Sequence, residues 1–175
     1  MQGRIEVKSE LGKGTEFILR FPISNERPAD LSTSKIEEEG AQPIIPTSQA
    51  TILYIEDNIP NVELVRDILD FKLPHIQLIH SKFGKDALGL AIQHQPVLIL
   101  LDLDLPDIYG QEALHQLLEN EQTDSIPVII ISADAMPEKS KQLINAGAKD
   151  FLVKPLQVKL FLEKISYYIK KQPIQ

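Results

Sequence analysis

Leu98-Ile99-Leu100-Leu101-Asp102-Leu103-Asp104-Leu105-Pro106 is the stretch on which the fold of this chain turns. Consecutive aliphatic residues without polar alternation read as a strand covered on both faces, as in the interior of a parallel sheet. An aspartate stands where that strand ends, and a proline-containing loop follows. In open α/β sheets, ligands and reacting groups gather in the crevice beyond the carboxyl ends of the strands. A carboxylate placed there is either a metal ligand or a nucleophile, and this stretch alone does not separate the two.

Other strand ends carry related chemistry. Ile52-Leu53-Tyr54-Ile55 stops at Glu56-Asp57, Val128-Ile129-Ile130-Ile131 stops at Ser132-Ala133, and Phe151-Leu152-Val153 stops at Lys154-Pro155. An acidic pair, a single aspartate, a hydroxyl and a lysine thus follow apolar runs in a fixed order, a combination that chance rarely assembles. From Thr51 onward the pattern is strand, helix, strand, repeated. Helices are expected over 60–72, 84–95, 111–120, 137–146 and 157–171, and a further strand over 76–79. The first helix places Val62, Val65, Ile68 and Leu69 on one face, and the third turns Leu114, Leu117 and Leu118 inward. The last carries Val158, Phe161, Leu162, Ile165, Tyr168 and Ile169 at helical spacing. Gly147 closes the fourth helix at a helix-ending position. This alternation specifies a parallel sheet with helices on both faces, and right-handed crossovers restrict its topology.

Composition narrows the function. The chain has 175 residues, 43% of them hydrophobic, with a formal net charge of −7 and no cysteine. That length suits one ordinary domain with appendages. The acidic balance and the lack of a basic cluster speak against a nucleic-acid surface. Without cysteine there is no disulfide, thiolate metal site or thiol nucleophile. No apolar run approaches the roughly 18 residues of a membrane span, and the N-terminus lacks a signal-peptide pattern, so a cytoplasmic segment with no membrane partner is expected.

The strand-end residues carry a resemblance. From about Thr51 to Lys171 the chain resembles the receiver domain of two-component signalling, with Glu56 and Asp57 as the acidic pair, Asp102 as the phosphoacceptor, Ser132 at the hydroxyl position and Lys154 as the lysine followed by Pro155. Gly110 matches the glycine that follows the aspartate loop, and the opening Ile52 to Asn58 with Asn61 is similar to receivers of hybrid kinases. The resemblance implies a flavodoxin-like doubly wound five-stranded sheet of order 2-1-3-4-5 with five helices. It implies a phosphoacceptor domain rather than an enzyme, which takes a phosphoryl group from a phosphohistidine on a kinase core or a histidine phosphotransfer domain.

The implied chemistry is consistent with the residue types. A carboxylate is a weak nucleophile toward an anionic phosphoryl group, and a divalent cation between their oxygens lowers the Coulomb cost. Mg2+ takes octahedral oxygen ligands and retains waters, so a few carboxylates suffice. Asp57 and Asp102 would ligate it directly, Glu56 directly or through water, and the family supplies a further ligand from the backbone carbonyl two residues after the phosphoacceptor, here Asp104. Lys154 would pair with a phosphoryl oxygen and Ser132 would donate to another. The family also implies a switch in which Ser132 moves inward and an aromatic three positions before the lysine, Phe151, follows it. The surface altered would be the fourth helix, fifth strand and fifth helix, which also offers a face for a homodimer.

The first residues read differently. Arg4 to Lys8 alternates polar and apolar, Phe17, Leu19 and Phe21 share a face, and Gly12-Lys13-Gly14-Thr15 lies between, which together read as a β-hairpin. Gly3 to Pro22 is similar to the last two strands of the ATP-binding domain of sensor histidine kinases. The expected organisation is therefore a hairpin remnant over 1–23, a flexible linker over 24–49 rich in Pro, Ser, Thr and Glu, and a receiver over 50–172, at the C-terminal end of a hybrid histidine kinase. Residues 29–39 are the one part of the linker with a helical tendency. His75, His80, His94 and His115 lack metal spacing and are expected at the surface or boundary. Two rivals stand beside this reading. Asp102-Leu103-Asp104 is also similar to the Asp-x-Asp of haloacid-dehalogenase-type phosphatases, although there that motif opens the domain and the acidic pair comes last. The other rival is a receiver-like scaffold that is never phosphorylated.

Overall fold

The computed structural model describes residues 4–10, 12, 14–20, 50–134 and 136–171. The expected linker over 24–49, its helical tendency over 29–39, and Phe21 lie outside the described residues. The chain divides between Pro43 and Ile44 into two units, each described by itself.

In the first unit, β1 (Arg4–Glu10) pairs antiparallel with β2 (Gly14–Arg20). The register sets Ile5 opposite Leu19 and Val7 opposite Phe17, so that these apolar positions meet across the two strands. Gly12 and Gly14 both have positive φ, at 80° and 106°, the backbone region that glycine enters at low cost. Next to this turn the Ser9 and Thr15 hydroxyls are 2.9 Å apart.

The second unit runs β3 (Ala50–Ile55), α1 (Ile59–Lys72), β4 (Ile76–Ser81), α2 (Asp86–His94), β5 (Leu98–Asp102), α3 (Gly110–Glu119), β6 (Val128–Ser132), α4 (Pro137–Asn145), β7 (Asp150–Val153) and α5 (Val158–Lys171). The sheet order is β4-β3-β5-β6-β7 and every pairing is parallel. This is the expected order 2-1-3-4-5 counted within the unit. Period-two alternation sends successive side chains of each strand to opposite faces, and both faces are covered. On one, Leu53, Ile55, Ile99 and Leu101 pack with Ala87 and Ala91 of α2, Ala113, Leu114 and Leu117 of α3, and Leu143 of α4. On the other, Ile52, Tyr54, Leu98 and Leu100 pack with Val62, Val65, Ile68 and Leu69 of α1 and Phe161 and Ile165 of α5. Each aliphatic side chain removed from water in this way contributes roughly 1.5–3 kcal/mol.

Helix ends follow local chemistry. Asn58 caps α1, its side-chain oxygen accepting from the Asn61 N–H at 3.4 Å, with Pro60 in the first turn. Gly147, at φ 117°, ends α4 as expected. Two details differ from the periodicity. Residues 84–85 form a turn before α2 rather than its first residues, with the Asp86 and Ala87 N–H groups donating to the Phe83 and Gly84 carbonyls. Val158 is exposed despite its spacing, because it is the first residue of α5 and the covered stripe begins at Phe161.

Candidate functional site

The carboxyl ends of β3, β5, β6 and β7 bring the chemistry-bearing residues together. Glu56 follows β3, and its N–H still donates to the Ser81 carbonyl at 3.0 Å, so the ladder runs one residue beyond the strand. Alternation therefore turns Glu56 inward, onto the face that holds Tyr54, and leaves Asp57 exposed. Asp102 ends β5, Ser132 ends β6, and Lys154 directly follows β7. Glu56 and Ser132 are wholly buried and Asp102 is 3% exposed.

Lys154 is the hub. Its Nζ lies 2.7 Å from Glu56 Oε2 and 2.7 Å from Asp102 Oδ2. The other oxygen of Asp102 accepts the backbone N–H of Leu103 at 2.7 Å and of Asp104 at 3.3 Å. The loop after β5 is thereby wrapped around its own carboxylate. Gly110 lies against that loop, its N–H donating to the Leu103 carbonyl at 2.9 Å. A Cβ on Gly110 would overlap the Asp102 carbonyl oxygen and stand 2.7 Å from Leu103 Cα, so the close approach requires glycine.

Electrostatics differ between the two buried acids. Burial pushes the Asp102 carboxyl above the ordinary aspartate value, and the negative charge of Glu56 adds to this, outweighing the hydrogen bond from Lys154. Burial acts in the same direction on Glu56, but hydrogen bonds from Lys154, Asn61 and Tyr54 outweigh it and hold Glu56 below the ordinary glutamate value. Burial acts to lower the Lys154 ammonium, and its two carboxylate partners reverse this, so it is held above the usual lysine value.

One oxygen from each of Glu56, Asp57 and Asp102 lies within 4.8 Å of the others. Three carboxylates against one ammonium leave an excess of hard, anionic oxygen donors in one crevice, the donor set that suits Mg2+. The residues present thus fit the expected cation.

The remaining candidates take their places around this centre. Ser132 Oγ accepts the Asp134 N–H at 3.1 Å. The Ser132 carbonyl accepts the Lys154 N–H at 2.8 Å, tying the last two strand ends together. Asp134 accepts from the Met136 N–H at 3.0 Å and pairs with Lys139 at 3.0 Å, at the start of α4. Phe151 is half-buried against the layer that includes α4. The Asp104 side chain is exposed. Of the histidines expected at the surface, His80 has a closer tie: its Nε2 donates to the Glu56 carbonyl at 2.8 Å. Sequence reading also passed over Tyr54, whose hydroxyl donates to Glu56 Oε2 at 2.7 Å. Its signal was available, since Tyr54 stands two residues before Glu56 on a strand and so shares its face.

The model of the response regulator receiver domain matches residues 52–166. The chain belongs to the receiver domain family of two-component signalling. Over 119 residues the receiver is 34% identical to the polar-differentiation response regulator DivK of Brucella ovis, an alignment covering 68% of this chain and 95% of DivK. Among solved structures, a CheY-like receiver domain protein from Methanospirillum hungatei JF-1 superposes with a TM-score of 0.64 at 25% identity, covering 71% of this chain and 96% of that one. The receiver domain of the sensor histidine kinase PA1611 from Pseudomonas aeruginosa PAO1, solved with magnesium coordinated in its active-site cleft, has a TM-score of 0.64 at 23% identity and shares the fold; the match covers 71% of this chain and all, 100%, of that one. No helix among the described residues is long and apolar enough to cross a membrane.

Proposed function

We propose that Asp102 of this receiver accepts a phosphoryl group from a phosphohistidine, held on a kinase core or a histidine phosphotransfer domain. The observation that carries the reading is Lys154 Nζ at 2.7 Å from both Glu56 and Asp102, in a crevice where Asp57 adds a third carboxylate. A carboxylate oxygen of Asp102 forms the new bond to phosphorus as the bond to the donor imidazole nitrogen breaks. Asp57 and Asp102, with the Asp104 carbonyl and Glu56 in support, would hold Mg2+, which when bound would supply positive charge that offsets the repulsion between the carboxylate and the phosphoryl group. Lys154 exchanges a carboxylate partner for a phosphoryl oxygen, and Ser132 donates its hydroxyl proton to another. Most of the acceleration is positioning and charge stabilisation, as in phosphoryl transfer generally.

The phosphoryl group then draws Ser132 inward and Phe151 after it, and α4, β7 and α5 form the altered face. Ile144, Val153, Leu160 and Tyr167 on these elements are exposed apolar side chains suited to a partner or a second copy. Residues 50–172 are the receiver, 24–49 a linker, and 1–23 a remnant of a histidine-kinase ATP-binding domain. The pairing of Arg4–Glu10 with Gly14–Arg20 around a glycine-rich turn supports that assignment. The parent protein is a hybrid histidine kinase, with this segment in the cytoplasm.

The test is mass spectrometry after incubation with Mg2+ and acetyl phosphate. Wild type gains one phosphoryl mass and Asp102→Asn gains none. Labelling of Asp102→Asn, mapped to Asp104 or a serine, rejects the assignment, and an unlabelled wild type favours a scaffold.

A further inference from the structure

The surroundings of Glu56 are more complete than cation binding alone requires. Each oxygen of a carboxylate can accept about two hydrogen bonds. Oε1 accepts from Asn61 Nδ2 at 3.0 Å and from the Asn58 N–H at 3.3 Å. Oε2 accepts from the Tyr54 hydroxyl at 2.7 Å and faces Lys154 Nζ at 2.7 Å. All the acceptor capacity of the side chain is used, and Lys154 is one of four donors sharing it. Asp102 differs, because its Oδ2 has Lys154 alone among the described contacts.

Tyr54 is wholly buried among Val62, Val65, Phe161 and other apolar residues of its layer. A phenylalanine would fill nearly the same space there. The hydroxyl therefore adds little to packing, and its one hydrogen bond ends on the oxygen that Lys154 also uses. Removing it leaves Oε2 held by Lys154 alone, and resistance to rotation about the Cγ–Cδ bond then rests on Asn61 and the Asn58 N–H at Oε1. Lys154 would then follow Glu56 instead of being held at a fixed point between Glu56 and Asp102.

We propose that Tyr54 is a positioning residue for phosphoryl transfer, its hydroxyl fixing Glu56 so that Lys154 is held beside Asp102. The inference deepens the phosphoacceptor reading of Asp102 and rests on it. Because Tyr54→Phe keeps the charge of Glu56 and leaves Asp57 and Asp102, the direct cation ligands, untouched, the loss falls mainly on transfer and far less on cation binding. A hydrogen bond to a charged group sets the scale, about tenfold in rate.

The experiment uses the full chain, in wild type and Tyr54→Phe, each alone and combined with Lys154→Ala. Phosphorylation by acetyl phosphate is followed at saturating Mg2+, Mg2+ affinity is titrated separately, and the Lys154 ammonium resonance is recorded by NMR without metal. Tyr54→Phe slows phosphorylation about tenfold and changes the Mg2+ dissociation constant by less than about twofold. In the Lys154→Ala background the same substitution has less than about a twofold effect, because it acts through Lys154. The metal-free Lys154 resonance shifts and exchanges faster with water. Asn61→Ala, leaving Oε1 only the longer bond from the Asn58 N–H, gives the same pattern at about threefold and serves if Tyr54→Phe does not fold. An unchanged rate, equal losses in rate and Mg2+ affinity, a full effect without Lys154, or an unmoved ammonium resonance each overturns the proposal. If wild type takes no phosphoryl group, the phosphoacceptor reading fails instead, and the ammonium resonance alone decides the role of Tyr54.

Discussion

Lys154→Met tests whether the ammonium group holds two buried carboxylates together. Glu56 is wholly buried and Asp102 is 3% exposed, and Lys154 Nζ is 2.7 Å from an oxygen of each. Removing one partner of a buried pair typically costs about 3–5 kcal/mol, because the charge left behind has neither water nor a counter-ion. Two features place this site toward the lower end. The Lys154 side chain keeps 18% of its surface in solvent, and Glu56 retains hydrogen bonds from Tyr54 and Asn61. A loss of about 2–4 kcal/mol at about pH 7.5 is expected, read as a lower urea midpoint by circular dichroism at unchanged slope.

Acid should reduce the deficit. Asp102 already binds its proton more tightly when folded than when unfolded, and losing Lys154 raises its pKa further. Between the unfolded and folded values the native state carries more protons, so stability falls as pH rises through that window and returns as pH drops back through it. Glu56 acts in the opposite sense in wild type. Its lowered value supplies stability above the unfolded pKa that is lost as pH falls, and the part of this contribution that Lys154 provides disappears with it. The variant should therefore approach wild type at about pH 5, and Mg2+ should restore part of the loss at about pH 7.5 by binding the native state alone. A Lys154→Met midpoint equal to wild type at neutral pH would refute the argument, as would a deficit that does not change between the two pH values.

Other outcomes follow from the same geometry. Asp57→Ala should weaken Mg2+ binding at least about tenfold in a titration, yet alter metal-free stability by less than about 0.5 kcal/mol, because this acid is exposed. Gly110→Ala should cost about 3 kcal/mol or more in urea unfolding and suppress phosphorylation, since its Cβ meets the backbone of Asp102 and Leu103 with no flexible side chain to give way. Deleting residues 1–48 should leave Asp102 phosphorylation unchanged, and the full chain should show no ATP binding by calorimetry. ATP binding that disappears with the deletion would contradict the remnant assignment.

Much of this protein was legible without coordinates. The apolar runs at Ile52, Leu98 and Val128 carry their own burial signal, because a strand covered on both faces cannot afford a polar residue until it leaves the sheet. Strand ends are thus marked by the first polar residue, and Glu56, Asp102, Ser132 and Lys154 stand at those marks. Helical faces were equally readable where the stripe is long, as with Val62 to Leu69. The hairpin was readable from alternation, while its register, Ile5 opposite Leu19 and Val7 opposite Phe17, came only with the structure.

Tertiary structure decided the rest, because it concerns distances between residues far apart in the chain. Glu56 and Lys154 are separated by most of the domain, and only the order β4-β3-β5-β6-β7 sets their ends around β5. Whether a lysine in that crevice pairs with one acid or bridges two is a matter of ångströms that spacing does not encode. The opposite pKa directions of two neighbouring carboxylates depend in the same way on which donors reach each oxygen: Tyr54, Asn61 and Lys154 for Glu56, but Lys154 and loop amides for Asp102. Sequence determines which groups arrive at the crevice through local patterns of burial. Electrostatics inside it falls off over a few ångströms of low-dielectric space, and only the packed fold sets those separations.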